Sequence, residues 1–367
     1  MKVLMTADTV GGVWNYAVDL INMLNAYGIE TILATMGSKL SQHQRYQIAD
    51  IPGLQLFESA YKLEWMQHPW EDVYSAGKWL LDIERRTRPD LIHLNNYAHG
   101  SLPWRAPVLV VGHSCVYSWF AAVHGSLPPD EWQKYHFMVQ AGIQSADAVV
   151  APTYAMLTAL QCHYGKLPPL QKAIPNGRSA DLFMPRAKEP FIFAAGRLWD
   201  EAKNLAALEA VALHLPWRIY VAGETTHPDG GEIQPQVSCL GVLSSLDTAE
   251  WMGRASIYAL PARYEPFGLS VLEAALSGCA LVLGDIPSLR ENWEGAAVFI
   301  PPHDREALYN ALCHLSQHPR ERHKLGSAAR HRAQRFTMQR TTELYIQMYQ
   351  EVLEIEKNAQ GIRHKAS

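Results

Sequence analysis

Short runs of consecutive apolar residues alternate along this chain with longer stretches in which apolar side chains recur every three or four positions. Lys2–Thr6 is the first such run; a Gly11–Gly12 break follows, and Val13–Tyr27 then carries helical periodicity. Glu30–Thr35, Leu91–Leu94, Val108–Val111 and Ala148–Ala151 read as further strands, with helices between them, notably Glu71–Arg88 and Pro129–Ser145. Strands that are apolar on both faces and separated by helices suit a parallel sheet covered on both sides. The pattern then restarts with strands at Phe191–Ala195, Arg218–Ala222, Ile257–Leu260, Ala280–Leu283 and Val298–Ile300. Beyond Pro319 the chain is helical, and Thr337–Lys357 places Leu344, Met348, Val352 and Ile355 on one face, which predicts packing along that face. Between the two sets, Asp181–Pro190 combines two prolines with Asp181, Arg186, Lys188 and Glu189, the composition of a linker.

The expected fold class is therefore α/β, with two facing doubly wound, Rossmann-like domains over residues 1–180 and 190–336. Open parallel sheets hold their ligands beyond the carboxyl ends of the strands, so a small molecule is expected in a cleft between the domains. A length of 367 residues exceeds one ordinary core and agrees with two domains. With 48% apolar and 19% charged residues the composition is globular. A formal net charge of -4 offers no general attraction for nucleic acid. Five widely spaced cysteines include no C-x-x-C pair, so neither a zinc knuckle nor a redox motif is indicated, and most are expected in or near the core. The N-terminus turns polar at Asp8 and no run of eighteen apolar residues occurs, so the expectation is a cytoplasmic protein without a membrane span.

Candidate chemistry concentrates in Arg263-Tyr-Glu265-Pro-Phe267-Gly268-Leu269-Ser270-Val-Leu-Glu273, between the strand Ile257–Leu260 and a new helix. Pro266 disfavours helix at Glu265, and Gly268 lets backbone approach a ligand closely. The amides of Gly268, Leu269 and Ser270 then point out of a helix N-terminus, which suits a phosphate. Glu265 and Glu273 can reach opposite ends of one bound nucleotide sugar. Taken singly, each is equally an ordinary charge placed against the helix dipole.

The string from Glu265 to Glu273 resembles the E-x7-E signature of retaining GT-B glycosyltransferases, in particular family 4, and the resemblance extends over essentially the whole chain. It implies that Glu265 contacts the transferred sugar, that Glu273 hydrogen-bonds the ribose hydroxyls, and that helix 337–357 crosses back to the first domain. Phe267, Gly268, Leu269 and Ser270 become the donor-binding turn. Arg197 and Lys203, beside Gly196, resemble the family's diphosphate clamp, and a guanidinium fork with a point-charge ammonium fits that task. Gly11 and Gly12 match the loop that closes over donor phosphates or acceptor, although Trp14 departs from the polar residues usual after it. His113, at the end of Val108–Val111, matches a histidine that meets the transferred sugar. Glu224 and Leu243 lie in the two loops that border the nucleotide base.

The resemblance also implies transfer without a metal, from a UDP- or GDP-linked sugar to a carbohydrate or other hydroxyl acceptor, with no further cofactor. In keeping with this, D-x-D, G-x-G, a P-loop and H-E-x-x-H are all missing from the sequence. Rival readings are a phosphorylase or epimerase on the same fold, and a non-catalytic nucleotide- or glycan-binding member. Among the tryptophans, Trp119 is the candidate for stacking on a sugar; Asn176, in Pro175-Asn-Gly, is a lesser donor candidate. The basic segment Arg320–Arg335 reads as a solvated helix face, with peripheral membrane contact as the alternative.

Overall fold

The structure, a computed structural model, describes residues 1–227 and 230–366. The chain separates into two compact units: residues 1–118, 127–175 and 338 onward form the first, and residues 119–126 with 176–337 the second.

The first unit is built on seven parallel strands: β1 Lys2–Asp8, β2 Glu30–Met36, β3 Gln55–Glu58, β4 Leu91–Leu94, β5 Val108–Val111, β6 Ala148–Ala151 and β7 Leu170–Ala173. Their order is β3-β2-β1-β4-β5-β6-β7, so the winding reverses between β1 and β4. Alternate residues feed two cores: Val3 and Met5 join Leu109 and Val111 on one face, Leu4 joins Val108 and Val110 on the other. The helix Gly12–Ala26 and the terminal helix Met338–Ala366 cover the first face. The terminal helix packs through Thr341, Tyr345, Met348, Tyr349 and Val352, all at most 2% exposed. Ile355, expected on that seam, stands 55% exposed, because the buried stripe ends with the core it covers.

Two strands of this unit escaped the sequence reading. β3 and β7 lie at the sheet's edges, half-buried, and their polar Gln55, Gln171 and Lys172 hide the apolar run expected of a parallel strand. The stretch Pro129–Ser145 is a 3-10 turn at Asp130–Trp132 followed by a helix at Gln133–Ser145. Among the cysteines Cys115 and Cys279 are buried, whereas Cys162 and Cys239 are exposed.

The second unit holds β8 Glu189–Ala195, β9 Arg218–Ala222, β10 Ser238–Cys239, β11 Ala255–Leu260, β12 Ala280–Gly284 and β13 Val298–Ile300. All pair in parallel in the order β10-β9-β8-β11-β12-β13, which places the reversal between β8 and β11. Glu189 and Pro190, expected in the linker, open the central strand β8 instead. Proline is admitted there because the register with β11 shifts between Ala255 and Ile257, so no ladder bond needs its missing N–H. The loops after β8 and β9 press together at Gly223: a Cβ there would stand 1.7 Å from the Gly196 carbonyl oxygen.

A buried polar layer runs through the first unit. His93 Nδ1 accepts from the Tyr349 hydroxyl at 2.7 Å, and Asn95 Nδ2 donates to the Thr6 carbonyl at 2.6 Å. The Asn95 Oδ1 therefore faces two imidazoles, accepting from His113 Nε2 at 2.8 Å and His93 Nε2 at 3.2 Å. His99 donates from Nε2 to the Val73 carbonyl and accepts at Nδ1 from Asn96. These partners hold three neutral rings. Burial pushes the pKa of His93 down to about 3, and those of His99 and His113 down to about 4. Burial also raises the Glu64 carboxyl to about 7, against the amides of Tyr97 and Ala98 that it accepts.

Each lowered histidine contributes stability that is complete above about pH 6.5 and is lost as pH falls towards its folded value. Glu64 has the opposite sign: its contribution is complete below about pH 4.5 and is lost as pH rises through 7. With three groups against one, urea unfolding should show a loss of roughly 2–4 kcal/mol between pH 6.5 and pH 5. A profile that stays flat over that window would show that the three rings are not held neutral.

Candidate functional site

In the second unit the carboxyl ends of the neighbouring strands β8 and β11 bring together two loops distant in sequence. After β8 the chain runs through Gly196 and Arg197 to Asp200, whose carboxylate accepts the Ala202 amide at 3.0 Å and starts a 3-10 turn at Glu201–Lys203. Asn204 follows with a left-handed backbone, φ 59°. Asparagine tolerates that conformation, and its side-chain amide donates to the carbonyls of Pro261 and Pro302, both at 2.8 Å. Asn204 thus fastens the Lys203 turn to the loops after β11 and β13. The helix itself starts only at Leu205, one residue after Asn204.

After β11, Gly268 caps the helix Leu269–Leu276 with φ 90°, a conformation that requires glycine. The Glu265 carboxylate accepts the Gly268 amide at 3.0 Å and the Lys203 ammonium at 2.5 Å. Both side chains are largely buried, Lys203 17% and Glu265 12% exposed. The Gly268 amide, expected to be open for phosphate, is therefore bonded to Glu265. Leu269 and Ser270 supply the remaining donors of the first turn. The Phe267 ring is 3% exposed and packs edge-on against Phe336 at 5.7 Å, which leaves only its backbone for a ligand. Tyr258, wholly buried on β11, donates from its hydroxyl to the Ala195 carbonyl at 3.1 Å and bonds Ser270, tying the two loops together.

Arg197 is 41% exposed and donates to Asp200 at 2.8 Å, with its guanidinium 5.1 Å from the Trp199 ring centre. Asp200 is 4% exposed and also accepts the Trp119 indole N–H at 2.9 Å. Despite burial, which raises it, the Asp200 carboxyl is held below the ordinary aspartate range by Arg197 and Lys203. Glu273, 8% exposed, accepts from Arg178 Nε at 2.7 Å. Glu224 is exposed, and its carbonyl accepts the Leu198 amide at 2.8 Å; Leu243 is half-buried beside Gly241, whose carbonyl accepts the Gly223 amide.

The first unit places Gly11 (φ 100°) and Gly12 exposed between β1 and the helix Gly12–Ala26, and His113 beyond β5. His113 packs on Tyr16 of that helix with ring centres 4.6 Å apart. Trp14 is core, 3% exposed, with its indole N–H on Gln47, so it presents no face to a sugar. The basic segment Arg320–Arg335 divides: Arg320, Lys324 and Arg330 are exposed, whereas Arg322 lies over the Trp217 ring and Arg332 binds the carbonyls of Asn292 and Glu294.

Asp200, Arg178, Tyr258 and Trp199 were not singled out from sequence. Asp200, three residues from Arg197 in one loop, was the accessible one: a carboxylate beside a proposed anion-binding arginine must be satisfied or repel the anion. Arg178 lies 95 residues from its partner, and nothing local signals it.

The chain matches the family described as Glycosyltransferase Family 4 over residues 10–182 and that described as Glycosyl transferases group 1 over residues 189–318. A D-inositol 3-phosphate glycosyltransferase from Kineococcus radiotolerans is 23% identical, with 94% of this chain and 91% of that protein covered. One of the same description from Saccharomonospora viridis is 34% identical over 102 residues, which span only 23% of its length. Sucrose-phosphate synthase from Thermosynechococcus elongatus superimposes with a TM-score of 0.82 at 18% identity, over 97% of this chain and 100% of that one. Anabaena HepE, in complex with UDP-glucose, gives a TM-score of 0.72 at 17% identity, over 98% and 100%.

The contacts of Glu265 predict competition with anions. Glu265→Gln removes the charge that neutralises Lys203, and calorimetry should show pyrophosphate binding about tenfold tighter, worth roughly 1.4 kcal/mol. Unchanged or weaker binding would mean that the carboxylate does not stand where an anion goes.

Proposed function

The chain belongs to the GT-B glycosyltransferases, and from that premise we propose that it transfers a sugar from a uridine-diphosphate sugar to a hydroxyl acceptor, with retention at the anomeric carbon and without a metal ion. The observation that carries this reading is the convergence of Arg197, Lys203 and the helix terminus Gly268–Ser270 at the β8/β11 reversal, flanked by Glu265 and Glu273. Breaking the bond between the anomeric carbon and the diphosphate builds positive charge on the ring and negative charge on the leaving phosphate. Two cations and the helix-terminal amides, fixed beforehand by Asp200, Asn204 and Tyr258, stabilise that negative charge as it develops. No aspartate pair of the D-x-D kind exists to hold a metal on the phosphates.

Lys203 reaches the diphosphate by exchanging its bond with Glu265, which leaves the Glu265 carboxylate to accept from hydroxyls of the transferred sugar. Glu273 accepts from the ribose hydroxyls, while Glu224 and Leu243 border the base and Gly11 and Gly12 let backbone lie against phosphate or acceptor. His113 stays neutral, with Nε2–H on Asn95, so its Nδ1 serves as an acceptor for a sugar hydroxyl. In a retaining transfer the acceptor hydroxyl attacks on the face that the phosphate leaves, and a phosphate oxygen takes its proton. The uridine preference is supported by the UDP-glucose complex of the Anabaena neighbour.

The test is thermal unfolding with UDP, GDP and ADP in the presence of a chelator, for the native protein, Arg197→Ala and Lys203→Ala. UDP at a hundred times its dissociation constant should add roughly 2.7 kcal/mol to the native protein, and much less to either variant. No shift with any diphosphate would overturn the donor assignment. Once an acceptor is found, the anomeric coupling in the product's proton spectrum checks the stereochemistry, and an inverted product refutes retention.

A further inference from the structure

We propose that Arg178 is the positioning residue for Glu273, and that through this pair it sets the recognition of the nucleotide's ribose hydroxyls; this rests on the reading of Glu273 given above. Glu273 lies in the second turn of the helix Leu269–Leu276, and a lone glutamate there has three flexible torsions and two equivalent oxygens. Accepting from two adjacent hydroxyls needs the carboxylate held in one plane. Arg178 imposes that plane. Its Nε donates to Glu273 Oε1 at 2.7 Å, with the two side chains 13% and 10% exposed.

The arginine is itself fixed from two further directions. Its backbone amide donates to the Phe336 carbonyl at 3.1 Å. Its guanidinium stands 5.7 Å from the ring centre of Phe183, a side chain only 2% exposed. A planar guanidinium held in this way directs its N–H at one carboxylate oxygen, which a freely rotating ammonium does not do. An ion pair between the segment after Pro175 and this helix could equally serve as a staple. The placement argues for more than that, because the carboxylate held is the one eight residues beyond Glu265, in the second turn of the helix whose first turn carries the proposed anion-binding amides. Glu265 and Glu273 are thus each gripped by a cation from another segment, Lys203 and Arg178.

The experiment is calorimetric titration of the full chain with UDP and with its 2′,3′-dideoxy analogue. The native protein should bind UDP at least about tenfold more tightly than the analogue, the scale of one charge-assisted hydrogen bond. Glu273→Gln and Arg178→Met should each abolish that preference while leaving affinity for the analogue within about twofold. The double variant should match the single ones, and Arg178→Lys should recover part of the preference. An Arg178→Met protein that keeps the native preference, or that loses affinity for both nucleotides equally, overturns the positioning role. If Glu273→Gln keeps the preference, the pair does not read the ribose and the proposal also falls. Failure of the native protein to bind UDP at all is a separate result, which condemns the donor assignment and not the geometry of the pair. Melting temperatures distinguish a misfolded variant, and Arg178→Lys, which retains the charge, provides the second test.

Discussion

Where β8 and β11 end, three positive features converge: the Lys203 ammonium, the Arg197 guanidinium and the helix terminus at Gly268. Left alone in a part-buried site, such charges would repel one another and carry the cost of lost hydration. Carboxylates from within the unit meet them. Glu265 takes Lys203 and the Gly268 amide, Asp200 takes Arg197, and Glu273 is matched by Arg178. The cluster is thereby charge-balanced in itself, and its cations are held in place by carboxylates of the same unit. In the proposed donor complex a dianion would gain Lys203 only in exchange for Glu265.

This balance depends on sheet topology. Lys203 and Glu265 are 62 residues apart and meet because β8 and β11 are adjacent although not consecutive. Loops that leave neighbouring strands on opposite sides of a winding reversal must diverge, and the opening between them admits a ligand. Asn204, bonded to the carbonyls of Pro261 and Pro302, and Tyr258, bonded to Ala195 and Ser270, stop the opening from collapsing. The first unit repeats the logic at β1 and β4. There Thr6 and Asn95 join across the reversal, and Asn95 fixes the proton positions of His93 and His113. An imidazole whose tautomer is settled by a neighbour needs no reorganisation to act as an acceptor.

Much of this was legible beforehand. The central strands announced themselves because burial on both faces demands unbroken apolar runs, and their alternation with helices specified the parallel α/β class. The Glu265–Glu273 string, Arg197 and Lys203 stood out because glycine, proline and charge at a strand-to-helix turn are local requirements. The edge strands β3 and β7 did not, since one exposed edge relaxes the apolar demand. Pro190 was misleading, because a proline inside a central strand is intelligible only once the register shift opposite it is known.

The sequence by itself determined the two-unit α/β plan, the strand-to-helix loops at Arg197–Lys203 and Glu265–Ser270 and the residue types in them, because periodicity, turn propensity and helix-terminal charge all act over a few residues. Only the tertiary structure decided the distant partners: Arg178 for Glu273, Asp200 for Trp119, Tyr349 for His93, and the burial of Trp14 and Phe267. Those pairings span from 81 to 256 residues. They follow from which strands lie side by side and how tightly their loops pack, and so could be read only once the chain was folded.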